Sequence, residues 1–163
     1  MKNNKTNLSP KGDRLTEDAK VLHLAVSELV RVYQFRDRNS VRYYDVTATQ
    51  CYALAALLTG GPLTLNRLAT ALRLDKSTTS RMVDTLEEKK YVRRATDPVD
   101  GRALRLEITA RGKKLHYRIQ QDLIDEMKDL LTTIDPQVRQ AASHLVTRLA
   151  QAAAQRFAPD PQA

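Results

Sequence analysis

Residues Thr64–Thr109 read TLNRLATALRLDKSTTSRMVDTLEEKKYVRRATDPVDGRALRLEIT, and the change of period inside this stretch decides the fold. After Thr64, a residue suited to a helix N-cap, Leu65, Leu68, Ala69 and Leu72 recur at i, i+3, i+4 and i+7, the stripe of a short amphipathic helix. A break at Arg73-Leu74 leads to Asp75, the cap of a second helix running to about Lys89. Its apolar positions Thr79, Met82, Val83 and Leu86 fall within an arc of about 100°, and Ser77, Thr78, Ser80, Arg81, Asp84, Thr85 and Glu88 occupy the opposite face. Beyond Lys90 the period drops to two. Tyr91–Ala95 and Ala103–Ile108 read as strands, the second with Leu104, Leu106 and Ile108 facing inward, and the turn residues between them make a hairpin with a protruding tip. Two short helices, a tight turn and a hairpin compose a winged helix-turn-helix.

Working outward, Thr47-Ala48-Thr49-Gln50 is a capping box opening an apolar helix from Cys51 to Leu58. Gly60-Gly61-Pro62 stops it, with Gly60 assigned the left-handed terminal conformation. Upstream, Leu15, Ala19, Leu22, Val26, Leu29, Val30 and Tyr33 recur at helical spacing, predicting a helix of roughly 20 residues that begins its exit at Asn39-Ser40. The polar residues 1–13, with Ser9-Pro10-Lys11-Gly12, read as a disordered arm. Downstream, Thr109 caps a long helix with Leu115, Ile119, Leu123, Met127, Leu130 and Leu131 in line. Asp135-Pro136 opens a last helix with Val138, Ala142, Leu145, Val146, Leu149, Ala153 and Phe157 on a stripe, and Pro159-Asp160-Pro161 ends structure. The fold class is therefore mainly α with a small β-wing. Residues 14–163 form one domain, in which 47–109 are the winged helix-turn-helix and 14–46 and 110–158 the flanking helices.

Composition narrows the function. Aromatic residues are 5% of the chain and Trp is absent, so the core must be built from Leu, Val, Ile and Ala. No apolar run is long enough for a membrane span, and the N-terminus does not read as a signal peptide, so a cytoplasmic protein is expected. One cysteine excludes an internal disulfide, and His23, His116 and His144 have no metal-ligand spacing. Neither a Gly-rich phosphate loop nor a recognisable Ser/His/Asp arrangement occurs, so no cofactor, metal or catalytic residue is assigned and the chain does not read as an enzyme. The net charge of +8 is concentrated in residues 62–118, which hold 14 Lys and Arg against 7 Asp and Glu. That is the footprint of an anionic partner, the alternative being a solvated basic surface kept for solubility.

The second short helix has the chemistry of a DNA-reading helix: an apolar back, and a front of small hydroxyls with few acids near its N-terminus. Lys76, Ser77, Thr78 and Ser80 suit phosphates or base edges, and Arg81 suits a bidentate contact to guanine in the major groove. Arg102, just past the hairpin tip, suits a minor groove or flanking phosphates. Arg73, Lys90 and Arg94 add cations to the DNA-binding set.

These residues resemble the MarR (multiple antibiotic resistance regulator) family. The resemblance rests on Leu65–Arg94, on the wing pattern of Asp97, Asp100 and Arg102 around Gly101, and on Leu106-Glu107-Ile108-Thr109-Ala110-Arg111-Gly112; it covers roughly residues 47–116 in sequence. It implies a homodimer held by the N-terminal and last two helices, binding double-stranded DNA at palindromic operators, most often as a repressor, and released by a small aromatic ligand or by cysteine oxidation. Two positions depart from the family. Lys90 stands where glycine is usual at the end of the reading helix, and Arg73 replaces a common glycine or small residue in the turn. A left-handed Lys90 costs about 1 kcal/mol relative to glycine, which a DNA phosphate contact would offset, so Lys90→Gly is expected to stabilise the protein yet weaken DNA binding.

The zone between the dimer helices and the reading domain, where the family binds ligands, draws on His23, Tyr33, Arg36, Tyr43, Tyr44, Tyr52 and His116. Clustered tyrosines with an arginine suit an aromatic carboxylate, while each tyrosine alone suits packing equally well. Cys51 is a candidate redox sensor or a small buried core residue. The alternatives to a specific regulator are a winged-helix protein-interaction adaptor without specific DNA binding and a non-specific architectural DNA binder.

Overall fold

The computed structural model describes residues 10–96, 101 and 103–156, with the side chains of residues 10–12 and 35–43 outside that description. The order is α1 (Pro10–Tyr44), α2 (Ala48–Gly60), α3 (Leu65–Leu72), α4 (Lys76–Glu88), β1 (Val92–Thr96), β2 (Leu104–Ile108), α5 (Ala110–Leu131) and α6 (Pro136–Arg156). The chain divides into two compact units at His116, within α5.

Local chemistry places the ends of these elements. Thr47 accepts from the Gln50 amide at 3.2 Å while the Gln50 side chain accepts from the Thr47 amide at 3.0 Å, so the capping box forms. Thr64 caps α3 through the Arg67 amide, and Asp75 caps α4 through the Thr78 amide. Asp135 accepts from the Gln137 and Val138 amides ahead of α6, with Pro136 at the first helical position.

Four expectations need correction. α1 runs 35 residues rather than about 20, passing through Asn39-Ser40. Those residues lower helix propensity by about 0.5 kcal/mol each without breaking a helix, and the real exit is Asp45, whose φ is +57°. The helix also begins at Pro10, inside the segment read as an arm; a proline's fixed φ suits a first turn, and residues 1–9 lie outside the described residues. At the end of α2 it is Gly61, with φ +71°, that leaves the helix, and Gly60 is its last helical residue. In β2, Leu106 is buried but Leu104 is 57% exposed, because it pairs with Thr96 at the tip end of the ribbon, where no helix covers it.

The first unit is packed around Leu54, Leu57, Leu68, Val83, Leu86 and Val92, all essentially buried, with Val46, Ala53 and Leu106 beside them. β1 and β2 pair antiparallel, Arg94 opposite Leu106, and Leu63 bridges to the far side of Leu106 through amide–carbonyl bonds of 3.1 and 2.7 Å. The wing root is thus three residues wide. α5 starts hard against the turn that follows α4. Thr109 donates its hydroxyl to the Lys90 carbonyl at 2.7 Å, and a Cβ on Gly112 would lie 2.2 Å from the Tyr91 carbonyl oxygen. The second unit holds the rest of α5 and α6, and α6 has no buried residue.

Candidate nucleic-acid interface

Burial fixes how α4 can meet a partner. Thr79, Val83 and Leu86 are buried, so Ser77, Arg81, Asp84 and Glu88 lie at the opposite pole. The charge on that exposed side is split along the axis: Lys76 and Arg81 stand in the N-terminal half, Asp84, Glu87 and Glu88 in the C-terminal half. The positive charge of α4 is therefore confined to its first two turns.

The cap completes that end. Asp75 accepts from the Ser77 hydroxyl at 2.6 Å and from the Thr78 amide at 2.8 Å, and these bonds, the hydroxyl foremost, hold its carboxyl well below the usual carboxylate range. Ser77 is therefore committed to the cap as a donor, leaving its oxygen to accept. Thr79 is buried and donates its hydroxyl to the Asp75 carbonyl at 2.8 Å, so its role is structural. Lys76, Thr78 and Arg81 are exposed, Ser80 half-buried, and the Arg81 Nε lies 3.5 Å from the Ser77 carbonyl. Arg73 ends α3 in the left-handed conformation (φ +54°, ψ +42°), exposed and three residues before Lys76.

The hairpin meets α4 through β1. Arg94 of β1 reaches Asp84 at 2.6 Å and also pairs with Glu87, whose carboxylate accepts from the Arg94 amide at 3.2 Å. The bond to Asp84, with the charge of Glu87, raises Arg94 further above its ordinary value. Residue 94 of β1 thus lies beside residues 84 and 87, in the C-terminal half of α4. Of the tip residues, Gly101 is an exposed turn residue with open space around it, while Asp97, Asp100 and Arg102 lie outside the described residues.

Two cations of the expected DNA-binding set are therefore differently placed. Arg94 is held by two carboxylates and is not an outward cation. Lys90 is left-handed (φ +60°) as anticipated, but it sits past the C-terminus of α4, about 20 Å along the axis from Lys76. Sequence reasoning did not anticipate the hold on Arg94, because it counted positive charge without knowing which acid each cation meets. The 3-residue spacing of Asp84 and Glu87, which puts two acids on one helix face, was the available signal. It also missed Lys89, whose ammonium reaches the Asp45 carboxylate at 2.9 Å and ties the end of α4 to the α1–α2 turn.

The residues expected to hold an effector are scattered in burial. His116 is buried, which pushes its imidazole below its ordinary value. Tyr33 and Tyr44 are half-buried, Tyr52 and His23 exposed, and the side chains of Arg36 and Tyr43 lie outside the described residues. A cavity of about 310 Å³ lies elsewhere, between the end of α2 and the start of α5, lined by Leu57, Leu58, Pro62, Ile108, Glu107 and Lys113 among others, with none of the seven. Cys51 is half-buried in the first turn of α2. Among the described residues no three His, Cys, Asp or Glu side chains cluster to hold a metal, and no helix is long and apolar enough to cross a membrane.

A capped helix with its basic end exposed, propped by a second helix and followed by a two-stranded hairpin, defines a winged helix-turn-helix DNA-binding transcriptional regulator. A sequence profile described as "MarR family" matches residues 44–103. The multiple antibiotic resistance protein MarR of Salmonella typhimurium is 32% identical over 108 residues, 62% of this chain and 75% of that protein. The HTH-type transcriptional regulator YxaD of Bacillus subtilis is 27% identical over 79% of this chain and 90% of its own length. The crystal structure of RV1404 from Mycobacterium tuberculosis superposes with a TM-score of 0.71 at 25% identity, covering 88% of this chain and 97% of that one. The chain belongs to the MarR family.

Proposed function

We propose that the protein binds an inverted-repeat operator as a homodimer, each subunit placing the Lys76–Arg81 end of α4 in a major groove. The observation that carries this reading is the polarity of charge along α4, with Lys76 and Arg81 exposed at its capped N-terminal end and the acids in its C-terminal half. Arg81 is the base-reading residue. Thr78, Ser80 and the Ser77 oxygen supply short contacts, Arg73 and Lys76 meet phosphates, and Arg102 on the wing takes the flank. Lys90 and Arg94 leave the contact set.

Support for the dimer comes from apolar surface that one chain leaves open. In α1, Leu15, Val26 and Leu29 are 70%, 40% and 51% exposed; in α6, Val138 and Leu145 are 56% and 46% exposed. Stripes of this length call for a second chain, and twofold symmetry then makes the two reading heads equivalent. A dimer whose half-sites lie about one helical turn, 34–36 Å, apart covers enough duplex to exclude other proteins from it, so occupancy alone gives repression.

The test compares a selected duplex with single-base variants of it. Arg81→Ala should flatten the preference at one symmetric pair of positions by about 1–3 kcal/mol, and Lys76→Ala should weaken all sequences alike. Retention of full preference by Arg81→Ala would contradict the docking.

A further inference from the structure

The wing is a two-stranded ribbon, an element with little stability of its own, so something must set the direction in which it leaves the domain. One cross-section of the molecule does this. Leu63, in the α2–α3 connection, exchanges two backbone bonds with Leu106, at 3.1 and 2.7 Å. Leu106 is the register partner of Arg94. Arg94 then grips α4 at two points one turn apart, Asp84 at 2.6 Å and Glu87, and adds its own amide to the Glu87 carboxylate at 3.2 Å. The Leu63–Leu106 bonds, the β1–β2 register at Arg94 and the Arg94 grip on α4 therefore lie in one cross-section. Toward the tip, Leu104 stands exposed.

Arg93, the neighbouring cation, differs in kind. It faces the other side of the ribbon, pairs only with Glu107 directly across the strand, and touches no helix among the bonds described.

We propose that Arg94 is the pivot of the wing: it fixes the angle at which the hairpin leaves the reading helix, and acts on DNA through that angle rather than by contact. The inference rests on the DNA-reading role given above. Arg94 is a positioning residue, and Asp84 and Glu87 are its anchors. Asp84 and Glu87 carry negative charge on the DNA-reading helix, so a purely electrostatic account has their removal tighten binding to a polyanion, whereas a positioning role has it weaken binding.

That conflict gives an experiment in which the two accounts predict opposite signs. The full-length protein is titrated with the tightest duplex recovered from a random library, using Asp84→Asn, Glu87→Gln, Arg94→Lys and Arg94→Gln. A positioning role predicts that each acid substitution lowers affinity by about tenfold, the low end of what a charge-assisted hydrogen bond supports. The loss should fall on hydroxyl-radical protection at the outer flanks, where the wing lies, with the central major-groove protection kept. Arg94→Lys, which can still reach one acid, should recover part of the loss shown by Arg94→Gln, and the salt dependence of binding should keep its slope in all four. Unchanged or tighter binding by Asp84→Asn and Glu87→Gln would overturn the proposal, as would a slope lower by about one in Arg94→Gln, the mark of a lost phosphate contact. Equal fading of central and flanking protection would also overturn it.

A measurement without DNA separates this proposal from the reading it rests on. In Arg94→Gln, amide exchange in Ala95–Thr96 and Arg105 should accelerate while α4 keeps its protection. If the parent protein selects no duplex, the DNA-reading role fails and this exchange still decides the pivot: unchanged exchange overturns it.

Discussion

Arg73 and Lys90 adopt nearly the same left-handed backbone on either side of α4, φ +54° and +60°, and the difference between them is position. Each pays the Cβ penalty that glycine avoids, about 1 kcal/mol. Arg73 precedes the basic end of α4, where the proposed docking gives its charge a phosphate to meet; Lys90 follows the acidic end. Lys90→Gly should therefore raise the melting temperature by roughly 2–4 °C and leave DNA affinity unchanged, not lowered as the sequence alone suggested. Arg73→Gly should raise it similarly but weaken binding to every duplex, with the salt slope falling by about one. Thermal melts and titrations at two salt concentrations check both. His116 gives a pH dependence. Burial lowers its folded-state pKa, so below its ordinary value of 6.5 the unfolded chain binds the proton and the folded chain resists it. Stability should be full above about pH 6.5 and decline as pH falls through the window beneath it; urea unfolding at several pH values should show this slope, and His116→Gln should flatten it.

Elements were more legible than the contacts between them. Caps, periods and stops are local, and Thr47, Thr64, Asp75 and Asp135 all cap the helices their neighbours announced. The length of α1 was not legible, since Asn39-Ser40 weakens a helix without ending one and the true exit depends on the backbone of Asp45. Pairings distant in sequence were invisible for a plain reason: one chain does not say which acid a given cation meets. Arg94 with Asp84 and Glu87, Lys89 with Asp45, and Leu63 with Leu106 all belong to this class. Gly112 belongs there too. Its glycine identity is required by the Tyr91 carbonyl, which a Cβ would approach to 2.2 Å, so the start of α5 can rest on the end of the α4–β1 turn only without a side chain. Gly112→Ala should destabilise the protein by about 3 kcal/mol, since backbone rather than a flexible side chain would have to move. Denaturant unfolding measures this, and a loss below about 0.5 kcal/mol, the range of an ordinary surface change, would show that α5 seats differently.

At the scale of the whole molecule, the excess positive charge falls in the reading domain, while the apolar stripes of α1 and α6 stand exposed in a single chain. The first property attracts any polyanion; in the proposed dimer the second, by adding a symmetric copy, converts attraction into a demand for two half-sites at fixed spacing. The central claim is that the two heads read one sequence twice. Selection of bound duplexes from a random library by the full-length protein tests it most directly. The account predicts enrichment of a single inverted repeat with half-sites about one helical turn apart, bound far more tightly than random duplex at the same salt. Enrichment of nothing, with random duplex bound as tightly as any recovered sequence, would contradict it.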